Sequence, residues 1–141
     1  MQASPARVLV VDDFAPWQIF VERYLGTSPN VRVIGFAADG LEAVQKAEEL
    51  LPDLILLDVG LPKANGIEAA RQIRTRAPES AILFLSDSSD PDVVTEALSA
   101  GGRGYVLKVA ATKDLIAGTE AVLNGESFLS RGLVGNDKAQ P

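Results

Sequence analysis

Polar side chains follow directly after four of the apolar runs in this sequence. VLVV is followed by Asp12 and Asp13, LILL by Asp58, ILFL by Ser86, and YVL by Lys108. Short, continuous apolar runs of this kind are typical of buried strands. In an open parallel sheet, ligands bind outside the carboxyl ends of the strands. The five side chains are therefore predicted to meet at one edge of a sheet.

This combination of side chains suits phosphoryl chemistry. Three carboxylates held together repel one another and raise one another's pKa unless a cation compensates them. Mg²⁺ prefers oxygen ligands, so two carboxylates, a backbone carbonyl and several waters would hold it. Lys108 supplies a fixed positive charge and Ser86 supplies a hydroxyl donor, which leaves Asp58 available as a nucleophile. Asp58 is therefore predicted to be a phosphoacceptor.

Each of these residues also has a plain structural interpretation. An aspartate before a helix is commonly an N-cap, and Ser86 could cap the helix that follows it. A single lysine such as Lys108 is commonly a solvated surface residue. The joint occurrence of these residues after strands one, three, four and five is what favours a functional site.

The elements that would position these residues alternate along the chain. Five apolar runs are predicted to be strands: 7–11, 31–37, 53–57, 81–85 and 104–107. A segment with helical spacing follows each run, with Asp13 as the N-cap of the first helix and Asp39 with Glu42 as a capping box of the second. This alternation predicts an α/β fold, a doubly wound parallel sheet of five strands flanked by five helices.

Composition excludes several kinds of chemistry. The chain has 141 residues, which suits one domain, and its net charge of −6 argues against direct binding to nucleic acid or to anionic membranes. It contains no cysteine and no histidine, which removes disulfides, thiolate metal sites and imidazole bases. No apolar stretch approaches the length of a membrane span, so a cytoplasmic location is expected. Trp17 and Phe20 on the first helix are interpreted as core or near-core residues.

The order of the polar residues resembles the response-regulator receiver domain of two-component signalling. DVGLPKANG (58–66) is similar to the phosphoacceptor loop of that family, and ALSAGGRGYVLK (97–108) is similar to the segment that leads to its lysine. The resemblance covers 6–124 and is closest to the NarL-type branch, because Val109 follows Lys108 where proline is common elsewhere. It implies a flavodoxin-like sheet with the strand order 2-1-3-4-5.

The resemblance also implies a reaction and a metal site. Asp58 would take the phosphoryl group of a kinase phosphohistidine, or of a small donor such as acetyl phosphate. Asp13, Asp58 and the backbone carbonyl of Gly60 would hold Mg²⁺, with Asp12 helping directly or through water. Lys108 would pair with a phosphoryl oxygen.

A switch and its partners follow from the same resemblance. Ser86 would hydrogen-bond a second phosphoryl oxygen and pull its loop inward, and Tyr105 would turn inward as Ser86 moves. This movement would alter the surface made by helix four, strand five and helix five. The implied partners are a sensor histidine kinase or a phosphotransfer protein, and a downstream protein or second copy that binds the altered surface. The implied role is a phosphoacceptor signalling domain rather than an enzyme.

Asp87 departs from the family pattern, in which a small residue usually follows the serine or threonine. Its carboxylate could slow phosphorylation by repulsion, or could change hydrolysis by positioning water. It could equally point to solvent and cap the following loop. The sequence leaves these interpretations open.

Other functions compete with this interpretation. A haloacid-dehalogenase-like phosphatase needs a second aspartate two residues after the nucleophile, where this chain has Gly60. A nucleotide or flavin binder would need a P-loop or a GxGxxG motif, and neither is present. The remaining alternative is a receiver-like interaction module that works without phosphorylation. The complete set of three aspartates, serine and lysine argues against that alternative.

The chain is predicted to consist of a receiver domain, 6–124, and a C-terminal tail, 125–141. The tail has no convincing periodicity and is predicted to be partly disordered. NarL-type receivers commonly precede a helix-turn-helix domain, and no such segment fits within the tail. A stand-alone receiver that acts through protein partners and a receiver cut from a longer regulator both remain open.

Overall fold

The structure, a computed structural model, describes residues 4–63 and 65–133. Its strands are β1 (Ala6–Val11), β2 (Val31–Ala37), β3 (Leu54–Leu57), β4 (Ala81–Ser86), β5 (Gly102–Leu107) and β6 (Phe128–Leu129). Its α-helices are α1 (Ala15–Leu25), α2 (Gly40–Leu50), α3 (Gly66–Arg76), α4 (Pro91–Ser99) and α5 (Ala111–Leu123), and a 3-10 helix covers Lys108–Ala110. None of the helices in the two described ranges combines the length and the apolar composition needed to cross a membrane.

The strands form a single sheet in the order β2-β1-β3-β4-β5-β6, and each neighbouring pair is parallel. Helices α1 and α5 pack on one face of the sheet, and α2, α3 and α4 pack on the other. The predicted α/β class and the predicted order of the first five strands are confirmed. Because all the strands point the same way, their carboxyl ends lie along one edge of the sheet.

Strand β3 explains why the apolar runs are continuous rather than alternating. Leu54 and Leu56 pack against α1 and α5, whereas Ile55 and Leu57 pack against the helices of the opposite face. All four side chains are at most 1% exposed. Burying one aliphatic side chain of this size contributes about 1.5–3 kcal/mol of transfer free energy. The end of β3 is therefore a rigid place from which to project Asp58.

The predicted counts of five strands and five helices are wrong. A sixth strand, β6, adds to the free edge of β5, with Gly104 opposite Phe128 and Tyr105 opposite Leu129. The sixth helix is the short 3-10 helix before α5. Residues 134–141 of the predicted tail lie outside the described residues, and the boundary after residue 124 stays a prediction.

Strand β6 has no periodicity to recognise because it is two residues long. Its place is set instead by the space that two glycines leave for Phe128. A Cβ at Gly104 would lie 2.8 Å from the Phe128 carbonyl oxygen, and one at Gly118 would lie 3.1 Å from the Phe128 ring. The hydroxyl of Ser130 then accepts a hydrogen bond from the Leu107 amide at 3.0 Å.

The predicted capping residues fare differently in α1 and α2. At α2 the Asp39 carboxylate accepts from the Glu42 amide at 2.8 Å, as predicted, although the Glu42 carboxylate reaches back to the amide of Ala38. At α1 the prediction of Asp13 as N-cap is wrong, because the N-cap is Phe14 and no side chain caps the helix. The carboxylate beside this turn is Asp12, which accepts from the Phe14 amide at 2.9 Å.

The connection from β3 to α3 is held by its neighbours. The Gly66 amide donates to the Val59 carbonyl at 2.8 Å, and the Gly40 amide at the start of α2 donates to the Pro62 carbonyl at 3.1 Å. Gly66 lies so close to the strand end that an added Cβ would be 2.0 Å from the Asp58 carbonyl oxygen. The backbone of the predicted phosphoacceptor loop is thereby fixed from two sides.

Gly66→Ala is expected to lower the free energy of unfolding by about 1–3 kcal/mol, because the new methyl group meets the backbone of Asp58 rather than a flexible side chain. The control is Gly60→Ala, where no atom lies within 4 Å of the added Cβ. Its free energy of unfolding should stay within about 0.5 kcal/mol of wild type. Urea unfolding followed by circular dichroism measures both variants, and equal stabilities would contradict the close approach.

Candidate functional site

Strand register brings the predicted site residues to one place. Val11 of β1 pairs with Leu57 of β3, and Leu57 pairs with Phe84 of β4. The Asp58 amide continues the ladder by donating to the Val11 carbonyl at 3.1 Å. The residues at or just beyond the strand ends therefore share the carboxyl edge of the sheet: Asp12, Asp13, Asp58, Ser86 and Lys108.

Three carboxylates form an acidic cluster at this edge. Asp12, Asp13 and Asp58 each contribute an oxygen that lies within 4.8 Å of the others. Asp12 and Asp58 are buried, whereas Asp13 is exposed and leaves the cluster open to solvent. Oxygen donors at this spacing, with access for water on one side, fit Mg²⁺, which usually keeps several waters and takes only a few protein ligands.

Lys108 supplies positive charge to the acidic cluster. Its Nζ donates to Oδ2 of Asp12 at 2.7 Å and lies 3.7 Å from Oδ2 of Asp58. Burial disfavours the charged form of Lys108 and lowers its pKa. The hydrogen bond to Asp12 and the charges of Asp58, Asp12 and Asp87 outweigh burial, so the pKa of Lys108 is raised. The ammonium therefore stays charged at neutral pH.

Asp58 lies in an environment that disfavours its charged form. Burial raises the pKa of Asp58 most, and the charge of Lys108 opposes that effect. The charge of Asp12 raises the pKa further, the Gly60 amide lowers it by donating to Oδ1 at 3.4 Å, and Asp13 raises it slightly. The net effect is a raised pKa. The charged form of Asp58 is therefore less stable in the pocket than in water unless a second cation is present.

Ser86 and Tyr105 lie together beside the acidic cluster. Ser86 is buried, and its hydroxyl accepts from the Ser88 amide at 3.1 Å. Tyr105 is fully buried, and its hydroxyl donates to the Ser88 carbonyl at 2.8 Å. Burial also raises the pKa of Tyr105. The Tyr105 side chain thus points inward and is bonded to the loop that follows Ser86.

Asp87 is exposed, but it still affects the site, because its charge is one of those that raise the pKa of Lys108. The hydrogen bonds within the loop after β4 are made by other side chains. The hydroxyls of Ser86 and Ser88 accept from the backbone, and the Asp90 carboxylate caps α4 by accepting from the Asp92 amide. The effect of Asp87 on the site is therefore an effect of its charge.

Two residues at the start of α1 contact the site and were not predicted to do so. The Trp17 ring lies beneath the Lys108 ammonium, with Nζ 5.1 Å from the ring centroid. The Gln18 side-chain amide donates to the Asp12 carbonyl at 2.6 Å. Their sequence signal was their position in the first turn after Asp13, on a helix that begins at the carboxyl edge of the sheet.

The fold and the site together define an α/β domain of the flavodoxin type, with an acidic pocket and a paired lysine at the carboxyl edge of its sheet. Residues 8–120 match the family model of the response regulator receiver domain. The chain belongs to this receiver family.

Known relatives agree with this membership. The response regulator protein VraR of Staphylococcus aureus is 38% identical over 121 residues, a match that covers 86% of this chain and 58% of VraR. A LuxR-family two-component response regulator from an Aurantimonas species has a similar structure, with a TM-score of 0.91 at 30% identity, covering 97% of this chain and all of the relative. The receiver domain of the putative response regulator NarL of Mycobacterium tuberculosis has a TM-score of 0.84 at 30% identity, covering 88% of this chain and all of that domain. The chain thus spans little more than half the length of the curated relatives it matches.

The raised pKa of Asp58 predicts an effect of pH on stability. Between the ordinary pKa of 3.8 and the higher pKa in the folded protein, the folded protein binds more protons than the unfolded chain. The contribution of Asp58 to the free energy of unfolding therefore falls as pH rises through that interval. Asp58→Asn removes the ionisable group, so its free energy of unfolding does not fall in this interval. The variant should therefore be more stable than wild type at pH 7, by on the order of 1 kcal/mol.

Urea unfolding in metal-free buffer, repeated from pH 3.5 to pH 7, measures this effect. The gain of Asp58→Asn should shrink towards zero at the acid end, where both side chains are neutral. Asp92→Asn, which neutralises an exposed aspartate in α4, is the control and should show no such trend. A gain that is independent of pH would contradict the raised pKa.

Proposed function

We propose that this receiver accepts a phosphoryl group on Asp58 in a Mg²⁺-dependent reaction. The observation that carries the proposal is the position of Asp58, buried at the end of β3, with Lys108 Nζ 3.7 Å from its carboxylate and two further carboxylates beside it. The family membership of residues 8–120 supports the same reaction class. The donor would be the phosphohistidine of a sensor kinase or phosphotransfer protein, or a small molecule such as acetyl phosphate.

The transfer requires one bond to form and one to break. An Asp58 carboxylate oxygen bonds to phosphorus as the bond between phosphorus and the donor's nitrogen or oxygen breaks, and the donor's imidazole or acetate leaves. Asp58 attacks in its charged form, which its raised pKa shows to be disfavoured when Lys108 is the only cation beside it. Lys108 is close enough to pair with a phosphoryl oxygen on Asp58 after transfer.

The acidic cluster would hold the metal. Asp12, Asp13 and Asp58 would supply carboxylate oxygens, and Gly60 would supply its backbone carbonyl. Bound Mg²⁺ would neutralise charge on the phosphoryl group and on the carboxylates. Asp13, which is exposed, would be the ligand nearest to bulk water.

The readout would run through Ser86 and Tyr105. Ser86 would hydrogen-bond a phosphoryl oxygen and draw the loop after β4 towards Asp58. The contact that supports this coupling is the bond from the Tyr105 hydroxyl to the Ser88 carbonyl in the same loop. Movement of the loop would shift the conformation of the surface made by α4, β5 and α5. A downstream protein or a second copy would bind this surface. This readout, a cytoplasmic location and the absence of other enzymatic activity stay predictions.

Incubation of the protein with acetyl phosphate and Mg²⁺ is expected to give a single phosphoryl adduct, measured by intact mass. Asp58→Asn should give no adduct, because it removes the nucleophilic oxygen, and EDTA should abolish the adduct on wild type. Asp92→Asn keeps the complete site and should be modified like wild type. An adduct that survives Asp58→Asn or EDTA would contradict the proposal. The absence of an adduct on wild type, with both acetyl phosphate and a histidine kinase as donors, would favour an interaction module that works without phosphorylation.

Asp87→Asn is expected to speed modification by acetyl phosphate by roughly 2- to 5-fold at low ionic strength, because a negative charge near the pocket repels an anionic donor. The rate constant comes from the time course of the intact-mass measurement. Asp92→Asn removes the same charge farther along the chain and serves as the matched control. The ratio of Asp87→Asn to wild type should fall as salt is added. An unchanged or slower rate for Asp87→Asn would contradict the repulsion and leave two alternatives, the positioning of water and a side chain that only points to solvent.

A further inference from the structure

The Lys108 ammonium lies close to two carboxylates and to one aromatic ring. It bonds to Asp12 at 2.7 Å and lies 3.7 Å from Asp58, while the face of the Trp17 indole lies on its third side at 5.1 Å from the ring centroid. We propose that Trp17 is a positioning residue that holds the Lys108 ammonium beside Asp58 when Mg²⁺ occupies the acidic cluster. This inference rests on the proposed function, because it concerns the metal-loaded form of that same site.

The argument begins with competition for oxygen atoms. Mg²⁺ at the cluster would take oxygens of Asp12 and Asp58, the two groups that hold Lys108 in the described structure. Two cations that share these carboxylates repel each other, so metal binding weakens the hold of Asp12 on the lysine. Lys108 would then be free to turn towards solvent unless another group retains it.

Mg²⁺ would not compete with Lys108 for the indole face. Mg²⁺ is a hard cation that binds oxygen and keeps its waters, whereas a lysine ammonium is attracted to the face of an aromatic ring within about 6 Å of the centroid. Tryptophan gives the strongest contact of this kind among the aromatic residues. Trp17 therefore offers Lys108 a position that is equally available with and without the metal.

The Trp17 ring is the first of three aromatic rings that stack along α1. Its ring lies 4.8 Å from that of Phe20 with an angle of 26° between the planes, and Phe20 lies 5.6 Å from Tyr24. The Tyr24 hydroxyl donates to the Thr112 carbonyl in the first turn of α5. Because α5 follows the 3-10 helix that begins at Lys108, the stack connects α1 to the segment that carries the lysine.

Hydrogen bonding does not explain the orientation of the indole. Its Nε1 is buried and has no hydrogen-bond partner among the described residues. The neighbouring Phe20 side chain, which has no polar atom, packs against the same core. Besides its packing against the core, the Trp17 ring contacts Phe20 in the stack and lies under the Lys108 ammonium.

Packing and ring electrostatics can be separated by substitution. Trp17→Leu keeps an apolar side chain but removes the ring, and Trp17→Phe keeps a ring with a weaker attraction for cations. Phe20→Leu is the matched control, because it replaces a half-buried ring of the same stack by an apolar side chain and keeps the Trp17 ring that lies under Lys108. A role in packing alone would affect Trp17→Leu and Phe20→Leu alike.

The primary test is the NMR shift of the Lys108 Hε protons, which lie beside the ammonium and are moved upfield by a ring below them. Wild type, the two Trp17 variants and the control are each measured in EDTA and at saturating Mg²⁺, and the amide shifts of Asp13 and Gly60 report metal binding. In wild type the upfield shift should persist or increase with Mg²⁺. It should be lost in Trp17→Leu, be partly kept in Trp17→Phe and be unchanged in Phe20→Leu.

The second measurement is the rate constant of modification by acetyl phosphate at saturating Mg²⁺. Trp17→Leu should be about 3- to 10-fold slower than wild type, the factor expected for the loss of a partly buried cation–π contact, with unchanged Mg²⁺ affinity. Trp17→Phe should recover part of the rate, and Phe20→Leu should react like wild type.

The outcomes distinguish the two proposals. Loss of the upfield shift in wild type on addition of Mg²⁺ would overturn the positioning role, as would an equal slowing of Trp17→Leu and Phe20→Leu. Amide shifts that do not respond to Mg²⁺ would overturn the metal site and the positioning role together. Metal binding with a persistent upfield shift but no adduct on wild type would support the positioning role and overturn phosphoryl acceptance instead.

Discussion

Charge compensation at the carboxyl edge of the sheet is the constraint on which the site depends. Asp12 and Asp58 are nearly buried and lie within 4.8 Å of Asp13, so their charges repel one another in a place that solvent screens poorly. Burying an uncompensated charge costs several kcal/mol. The Lys108 ammonium, bonded to Asp12 and close to Asp58, offsets part of that cost. The negative charge that Lys108 leaves uncompensated is the charge that the proposed Mg²⁺ would neutralise.

The fold meets this constraint through a rigid sheet and tethered loops. Buried strands fix the backbone of Asp58, and the loop after it is bonded to the starts of α2 and α3. Tyr105 connects two further segments, because its hydroxyl bonds to Ser88 in the loop after β4 and its carbonyl accepts from the Ser130 amide after β6. Hydrogen bonds through Tyr105 therefore connect the loop after β4 to the segment after β6, at the edge of the sheet.

Several features could be predicted because they depend on local pattern. Continuous apolar runs located the strands, and the rule that the carboxyl ends of parallel strands share one edge predicted that Asp58 and Lys108 lie together. The N-cap of α1 could not be predicted this way, because it is Phe14, which has no side-chain oxygen that would mark a helix start in the sequence. The bond from the Phe14 amide to Asp12 rather than to Asp13 depends on the path of the backbone after β1. Trp17 was correctly placed near the core, but its contact with Lys108 joins residues 91 positions apart in the chain, beyond the reach of any local signal.

The sequence by itself determined the α/β class and the acidic and basic residues at the strand ends, because each follows from periodicity or from side-chain chemistry. The order of the first five strands followed from the resemblance to the receiver family. The tertiary structure decided the sixth strand, the burial of Tyr105 and the partners of the Lys108 ammonium. Strand β6 exists because Gly104 and Gly118 leave room for Phe128, and that room appears only when β5 and α5 are packed. Packing sets the distances between segments that are far apart in the sequence. These distances decide which charged groups meet and place the Trp17 ring beneath Lys108.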